Sequence, residues 1–124
     1  MLKPFFHPAR MGALFALIAV GLGAFGAHLL GDMITPERLK TFETAVRYQM
    51  YHALGLIAIG ALPKPCWRAA PFIIIGSIIF SGSLYLLVAT NIGILGAITP
   101  IGGVFQIIGW VILFFQVGKT TQEN

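Results

Sequence analysis

Residues 69–118 read AAPFIIIGSIIFSGSLYLLVATNIGILGAITPIGGVFQIIGWVILFFQVG, fifty positions without one Asp, Glu, Lys or Arg. A water-soluble domain of this size has too little interior to hide such a run. The hydrocarbon core of a bilayer is about 30 Å thick, and roughly 20 apolar helical residues cross it. The stretch therefore predicts two crossings joined by a turn. Asn91-Ile92-Gly93, with Gly96 close behind, supplies the turn chemistry. The flanking spans fall at residues 69–89 and 98–117, and Thr99-Pro100 opens the second as a capped, proline-started helix.

The rest of the chain agrees. Hydrophobic residues make up 57% of it and charged residues 10%, with a mean hydropathy of +0.88, whereas a globular domain carries about 25% charged residues. At 124 residues there is room for one membrane domain, 1–124, and no separate soluble head. The net charge is +4, but the Lys and Arg residues are scattered at segment ends instead of gathered on one face. That pattern suits membrane anchoring and gives no reason to expect a nucleic-acid partner. Cys66 is the only cysteine, so a disulfide framework and a cysteine-based metal cluster are both excluded.

Before Arg68, residues 11–30 form another charge-free stretch, between Arg10 and Asp32. A cleaved signal peptide, with Ala24-Phe25-Gly26 as its site, competes with a retained helix. The apolar run is longer than such signals carry, so retention is expected. Ala19, Gly23, Ala27 and Gly31 recur at a spacing of four, a ridge that lets helix backbones approach closely in lipid. Thr35-Pro36-Glu37 then reads as a helix start. Over residues 36–47, Leu39, Phe42 and Val46 lie opposite Glu37, Arg38, Lys40, Glu43, Thr44 and Arg47, which predicts an amphipathic helix along the membrane surface.

The second span, 46–62, is the shortest. Its helix is expected to begin inside the amphipathic segment and to end at Pro63-Lys64-Pro65. The expected fold is thus all-α, a four-transmembrane-helix bundle with a short amphipathic helix between helices 1 and 2. Lys3, Arg10, Lys64, Arg68 and Lys119 then share one side, against Arg38, Lys40 and Arg47 on the other, where acids neutralise them. This bias predicts cytoplasmic N- and C-termini.

Polar groups at membrane depth need partners, and ionisable ones are functional candidates. With these spans, His28 lies near the outer end of helix 1 and His52 near the outer end of helix 2. Gln49 is one turn from His52, and Tyr48 and Tyr51 fall in the aromatic belt. Tyr85 lies near the outer end of the third span with Ser81 one turn deeper, and Thr99 near that of the fourth with Gln106 deeper. A bundle would gather these residues in its outer half. The cluster reads as a register-fixing hydrogen-bond network, as a pocket for a small ligand, a lipid head group or a proton path, or as a haem or metal site using His28 and His52. The last lacks further ligands, so no cofactor or metal is expected.

No catalytic motif is present. Ser81-Gly82-Ser83 lacks the G-x-S-x-G frame, and no acid lies within the spans to complete a triad. Gly21, Gly23 and Gly26 sit inside an apolar span instead of after a strand, so they make no dinucleotide loop. An enzyme is not indicated.

Four segments carry a family resemblance: Leu22 to His28 (LGAFGAH), Phe42 to Leu54 (FETAVRYQMYHAL), Phe80 to Tyr85 (FSGSLY) and Leu95 to Gly103 (LGAITPIGG). In this order they resemble the YgdD-like family of small bacterial inner-membrane proteins, across nearly the whole chain. The resemblance implies a four-helix inner-membrane protein with a retained first span, and it assigns the chain no particular chemistry. The residues themselves support a ligand or lipid-head-group site around His28 and His52. The alternative is a structural or accessory subunit, packing through the Ala19–Gly31 ridge as a homo-oligomer or with a membrane-protein partner.

Overall fold

In the computed structural model, which describes residues 6–123 (side chains of Ala27 and of residues 120–123 excepted), every long element is a helix. Lys3 lies outside the described residues. Helix α1 spans Pro8–Leu30. His7 caps it, Nδ1 accepting from the Ala9 amide at 3.1 Å, and Pro8 takes the first-turn position where no amide is needed. Leu22–Gly26 winds as a π turn. Gly23 and Gly26 weaken α-helical preference there, and a side chain at Gly26 would strike the Phe42 ring.

Helix α2 is Pro36–Gly60. Thr35 Oγ1 accepts from the Arg38 amide at 3.2 Å, Pro36 starts the first turn and Glu37 faces the positive end of the dipole. The amphipathic segment and the expected second span are one continuous helix. No proline or glycine interrupts residues 37–54, so nothing ends the helix where the charges stop. A separate short amphipathic helix is therefore not what the described residues form. Glu43 and Arg47 pair at 3.8 Å on the exposed side of this first half.

After a tight turn at Lys64–Ala69, helix α3 runs Ala70–Thr90. It stops at Asn91, whose φ of 59° is left-handed; Asn tolerates that conformation better than most residues. Helix α4 follows as Thr99–Glu123. Three stretches are long and apolar enough to cross a membrane: Pro8–Leu30, Lys64–Thr90 and Gly93–Lys119. Helix α2 is long enough, but its charged first half and the polar Gln49 and His52 of its second half keep it outside that group.

Strong contacts run between sequence neighbours, α1 on α2, α2 on α3 and α3 on α4. The apolar core lies toward the end where α1 begins. Met11 and Phe15 of α1 meet Ala53, Leu56 and Ile59 of α2 and Ala69, Ala70 and Ile73 at the start of α3. Away from these seams large apolar side chains face outward: Leu17, Phe25, Leu29, Ile107 and Phe114 are each more than 60% exposed. In water such a surface would drive aggregation. In lipid it is the expected exterior.

Candidate functional site

The polar side chains sit on the inner faces of the helices, above the apolar core, and Gln49 is their hub. It is buried on α2. Its Nε2 donates to the Phe15 carbonyl of α1 at 2.8 Å, and its Oε1 accepts from the Tyr85 hydroxyl of α3 at 2.7 Å. One amide thus ties three helices. One turn away Ser81 Oγ donates to the Ala45 carbonyl at 2.8 Å, a second α3-to-α2 bond. Toward the Asn91 turn, Ser83 and Thr99 share a hydrogen bond of 2.6 Å between α3 and α4.

His52 lies deeper. Trp110 Nε1 donates to its Nε2 at 3.1 Å, and its Nδ1 is 2.8 Å from the Tyr48 carbonyl. An indole N–H only donates and a carbonyl only accepts, so the pair of contacts fixes a neutral ring with the proton on Nδ1. The Gln106 amide stands 3.5 Å from both Nδ1 and Ser77 Oγ. With Nδ1 already a donor, Nε2 of Gln106 is spent on Ser77. No buried side-chain polar atom among the described residues lacks a partner.

The structure thus brings Gln49, Ser81 and Tyr85 together, places His52 with Gln106 one layer down, and puts Thr99 at the top with Ser83. His28 is not with them. It is exposed on α1, and no hydrogen bond joins it to another described residue. Tyr48 and Tyr51 are largely exposed, their rings 5.7 Å apart, with Tyr48 stacked on Phe80 at 4.7 Å. His52 also sits about two-thirds of the way along α2, not near its outer end. It is sixteen residues past Pro36 and eight before Gly60, because α2 starts well ahead of the expected span. Of the expected packing ridge, Ala19 is buried, Gly23 lies against Val46 and Gly31 is exposed, while the Ala27 side chain is outside the described set.

Ser77, Ser83 and Trp110 belong to the network and were missed by reading the sequence. A signal existed for two of them. Ser77 precedes Ser81 by four residues and Trp110 follows Gln106 by four, spacings that put each pair on one helix face. Both His52 ring nitrogens are occupied and His28 lies apart, so the two histidines form no joint ligand pair. No group of three His, Cys, Asp or Glu among the described residues is placed to hold a metal.

Beside the hub lies a cleft of about 190 Å³ between α1 and α3, with α2 as its floor. Phe15, Ile18 and Ile78 form apolar walls, and Gln49, Ser81 and Tyr85 line its back. The Tyr85 and Ser81 hydroxyls donate inward, to Gln49 and Ala45, so what they retain toward the cleft is acceptor capacity.

A family model described as "Protein of unknown function (DUF423)" matches residues 22–103. The chain belongs to this family. It is 50% identical over 114 residues to a "UPF0382 membrane protein" of Staphylococcus epidermidis, covering 88% of this chain and 93% of the relative. To the "UPF0382 membrane protein YwdK" of Bacillus subtilis it is 47% identical over 115 residues, with 88% and 94% covered. These descriptions stand in place of the YgdD-like name: the family is one of bacterial membrane proteins of unknown function. No solved structure matches. The matched segment holds Gln49, His52, Ser77, Ser81, Ser83, Tyr85 and Thr99; Gln106 and Trp110 lie beyond it.

Proposed function

We propose that this chain is a bacterial inner-membrane protein that crosses four times, with both termini cytoplasmic, and that it binds a small lipid-borne molecule instead of catalysing a reaction. Helix α2 is the fourth crossing on this reading. Its second half is mostly apolar and packs between α1 and α3. The bases Arg10, Lys64, Arg68 and Lys119 support a cytoplasmic placement of their end, since Arg38, Lys40 and Arg47 at the other end are offset by Asp32, Glu37 and Glu43.

The observation that carries the binding function is the side cleft. It faces lipid, its walls are apolar, and its back offers hydrogen-bond acceptors on Tyr85 and Ser81. A volume of about 190 Å³ is below the roughly 300–1,000 Å³ of sites that enclose a drug-sized ligand. The occupant is therefore small, or inserts one end: an apolar molecule bearing a hydroxyl or amide donor. The test is native mass spectrometry of the chain released from mild detergent, compared with Tyr85→Phe and Ser81→Ala variants. A copurifying mass that both variants lose, while their melting temperatures stay within a few degrees of the parent, supports the site. Marked destabilisation with no mass lost leaves the network purely structural and sinks the binding function.

A further inference from the structure

A second cleft lies at the opposite end of α3, where α1 begins. It holds about 370 Å³ between Phe6 and Pro8 on one side and Trp67, Pro71, Ile74 and Ile75 on the other. Its interior is hydrocarbon in character. The indole N–H of Trp67, the polar group in this wall, is already donated to the Leu62 carbonyl at 2.8 Å, and the ring is braced edge-on by His7 at 4.5 Å. Trp67 is thus a fixed, half-buried wall at the level where tryptophans favour the membrane–water boundary.

The turn that carries Trp67 into this wall is cationic, although Lys64 and Arg68 do not themselves line the cleft. Lys64–Ala69 winds as a 3₁₀ turn, in which side chains three apart eclipse one another. Lys64 therefore stands one turn above Trp67. Arg68 stands in the same relation to Pro71, where the turn passes into α3. Both are exposed, and neither side chain is paired with an acid among the described residues. The described side chains at this end include no Asp or Glu at all; the acids Asp32, Glu37 and Glu43 lie by the start of α2.

We infer that this cleft holds an anionic glycerophospholipid of the surrounding leaflet, with its phosphate between Lys64 and Arg68 and the upper part of an acyl chain against Trp67, Pro71 and Ile74. The charge complementarity is specific to an amphiphile with a negative head. A zwitterionic lipid would bring a cation to an unbalanced cationic turn, and an uncharged apolar molecule would leave the turn unused. Basic pockets at helix ends bind anionic head groups by the same logic. This site is separate from the cleft at Gln49 and needs only that the Lys64–Ala69 turn lie at the membrane surface.

The experiment is native mass spectrometry of the full chain in mild detergent with equimolar phosphatidylglycerol and phosphatidylcholine. The parent is expected to carry phosphatidylglycerol in about thirtyfold preference, the scale set by two lysine or arginine contacts near a surface. Lys64→Gln with Arg68→Gln should bring the ratio close to one, and the charge-keeping Lys64→Arg with Arg68→Lys should restore it. Lys40→Gln, at the other end, should leave it unchanged. Equal uptake of both lipids by the parent overturns the inference, as does a preference that survives the double glutamine change or is lost in the charge-keeping pair. Competition by millimolar inorganic phosphate also overturns it, because the site would then be one for free anions.

Discussion

Within the α3–α4 pair the backbones meet directly. A side chain placed on Gly76 would lie 2.8 Å from the Gly102 carbonyl and from the Gln106 backbone, and one on Gly102 would meet the Phe80 backbone. Within α1–α2 such contact is confined to the end where α1 begins, with Gly12 against the Ala53 carbonyl at 2.5 Å and Gly60 against the Ala9 amide nitrogen at 2.7 Å, and the rest is made by Met11, Phe15 and Ala19 against Ala53 and Leu56. The two pairs are then joined by hydrogen bonds from Gln49, Ser81 and His52. The contrast follows from the surroundings. Lipid gives no hydrophobic push between helices, so uncharged α3 and α4 associate through close backbone approach. Helix α2 is flanked by α1 and α3, and Gln49, His52 and Ala53 on its inner side are buried while Tyr48, Tyr51 and Leu54 face outward. There its polar side chains can hold partners that small residues alone would not distinguish.

The largest effect should come from spoiling backbone contact in α3–α4. Gly102→Val would force Cβ into the Phe80 backbone, which cannot swing aside as a side-chain tip can. A loss of about 3 kcal/mol or more is expected, at the upper end of overpacking costs, read as failure to recover folded monodisperse protein in detergent. Gly103→Ala is the control: its Cβ would meet only Phe80 Cδ2 at 3.9 Å, and it should fold normally. If both variants behave alike, the difference between the pairs is not one of backbone approach.

Next in size is the hub. Gln49→Leu removes two interhelical bonds at once and leaves the Tyr85 hydroxyl without its acceptor. Bonds of this kind in membrane proteins are worth about 0.6 kcal/mol on average and up to about 1.7, so about 1–2 kcal/mol is expected, measured by equilibrium unfolding in mixed micelles. In a double-mutant cycle with Tyr85→Phe the second change should cost much less once Gln49 is gone. Strict additivity would mean that the 2.7 Å contact does not couple the helices.

Much of this fold could be read from single residues. The bounds of α3 and the start of α4 follow from the absence of charge and from Asn91 and Thr99-Pro100, all local signals, whereas α4 runs on past Lys119 to Glu123. Continuity of α2 also followed from local chemistry, since nothing between Glu37 and Leu54 breaks a helix. What eluded the sequence is non-local. The height of His52 depends on where α2 begins relative to its neighbours, and the charges of its first half marked a surface segment without marking its depth. Whether His28 faces inward depends on helix rotation, and the π turn at Leu22–Gly26 alters that rotation through spacing that no residue type announces. Trp110 shares a helix face with Gln106, but the partner of its N–H lies across the seam, where Gly55 makes room for the indole.

The smallest effect belongs to a single hydrogen bond at the far end, where the α3–α4 turn meets the start of α2. Asn91 serves twice: its backbone is left-handed at φ 59°, and its Oδ1 accepts from Arg38 Nε at 2.8 Å, tying the α3–α4 turn to the start of α2. The two roles separate by substitution. Asn91→Ala loses the bond and places an ordinary residue in a left-handed conformation, which costs about 1–2 kcal/mol. Asn91→Gly loses the same bond but adopts the backbone freely, and an exposed hydrogen bond to a charged group is worth roughly 0.2–1 kcal/mol. In thermal melts followed by circular dichroism, Asn91→Ala should therefore fall several degrees below the parent, while Asn91→Gly should match Arg38→Gln within a degree or two. If Asn91→Gly instead falls as far as Asn91→Ala, the Arg38 bond carries the stability of this end, and the far ends of the two pairs are held by polar contact just as their middles are.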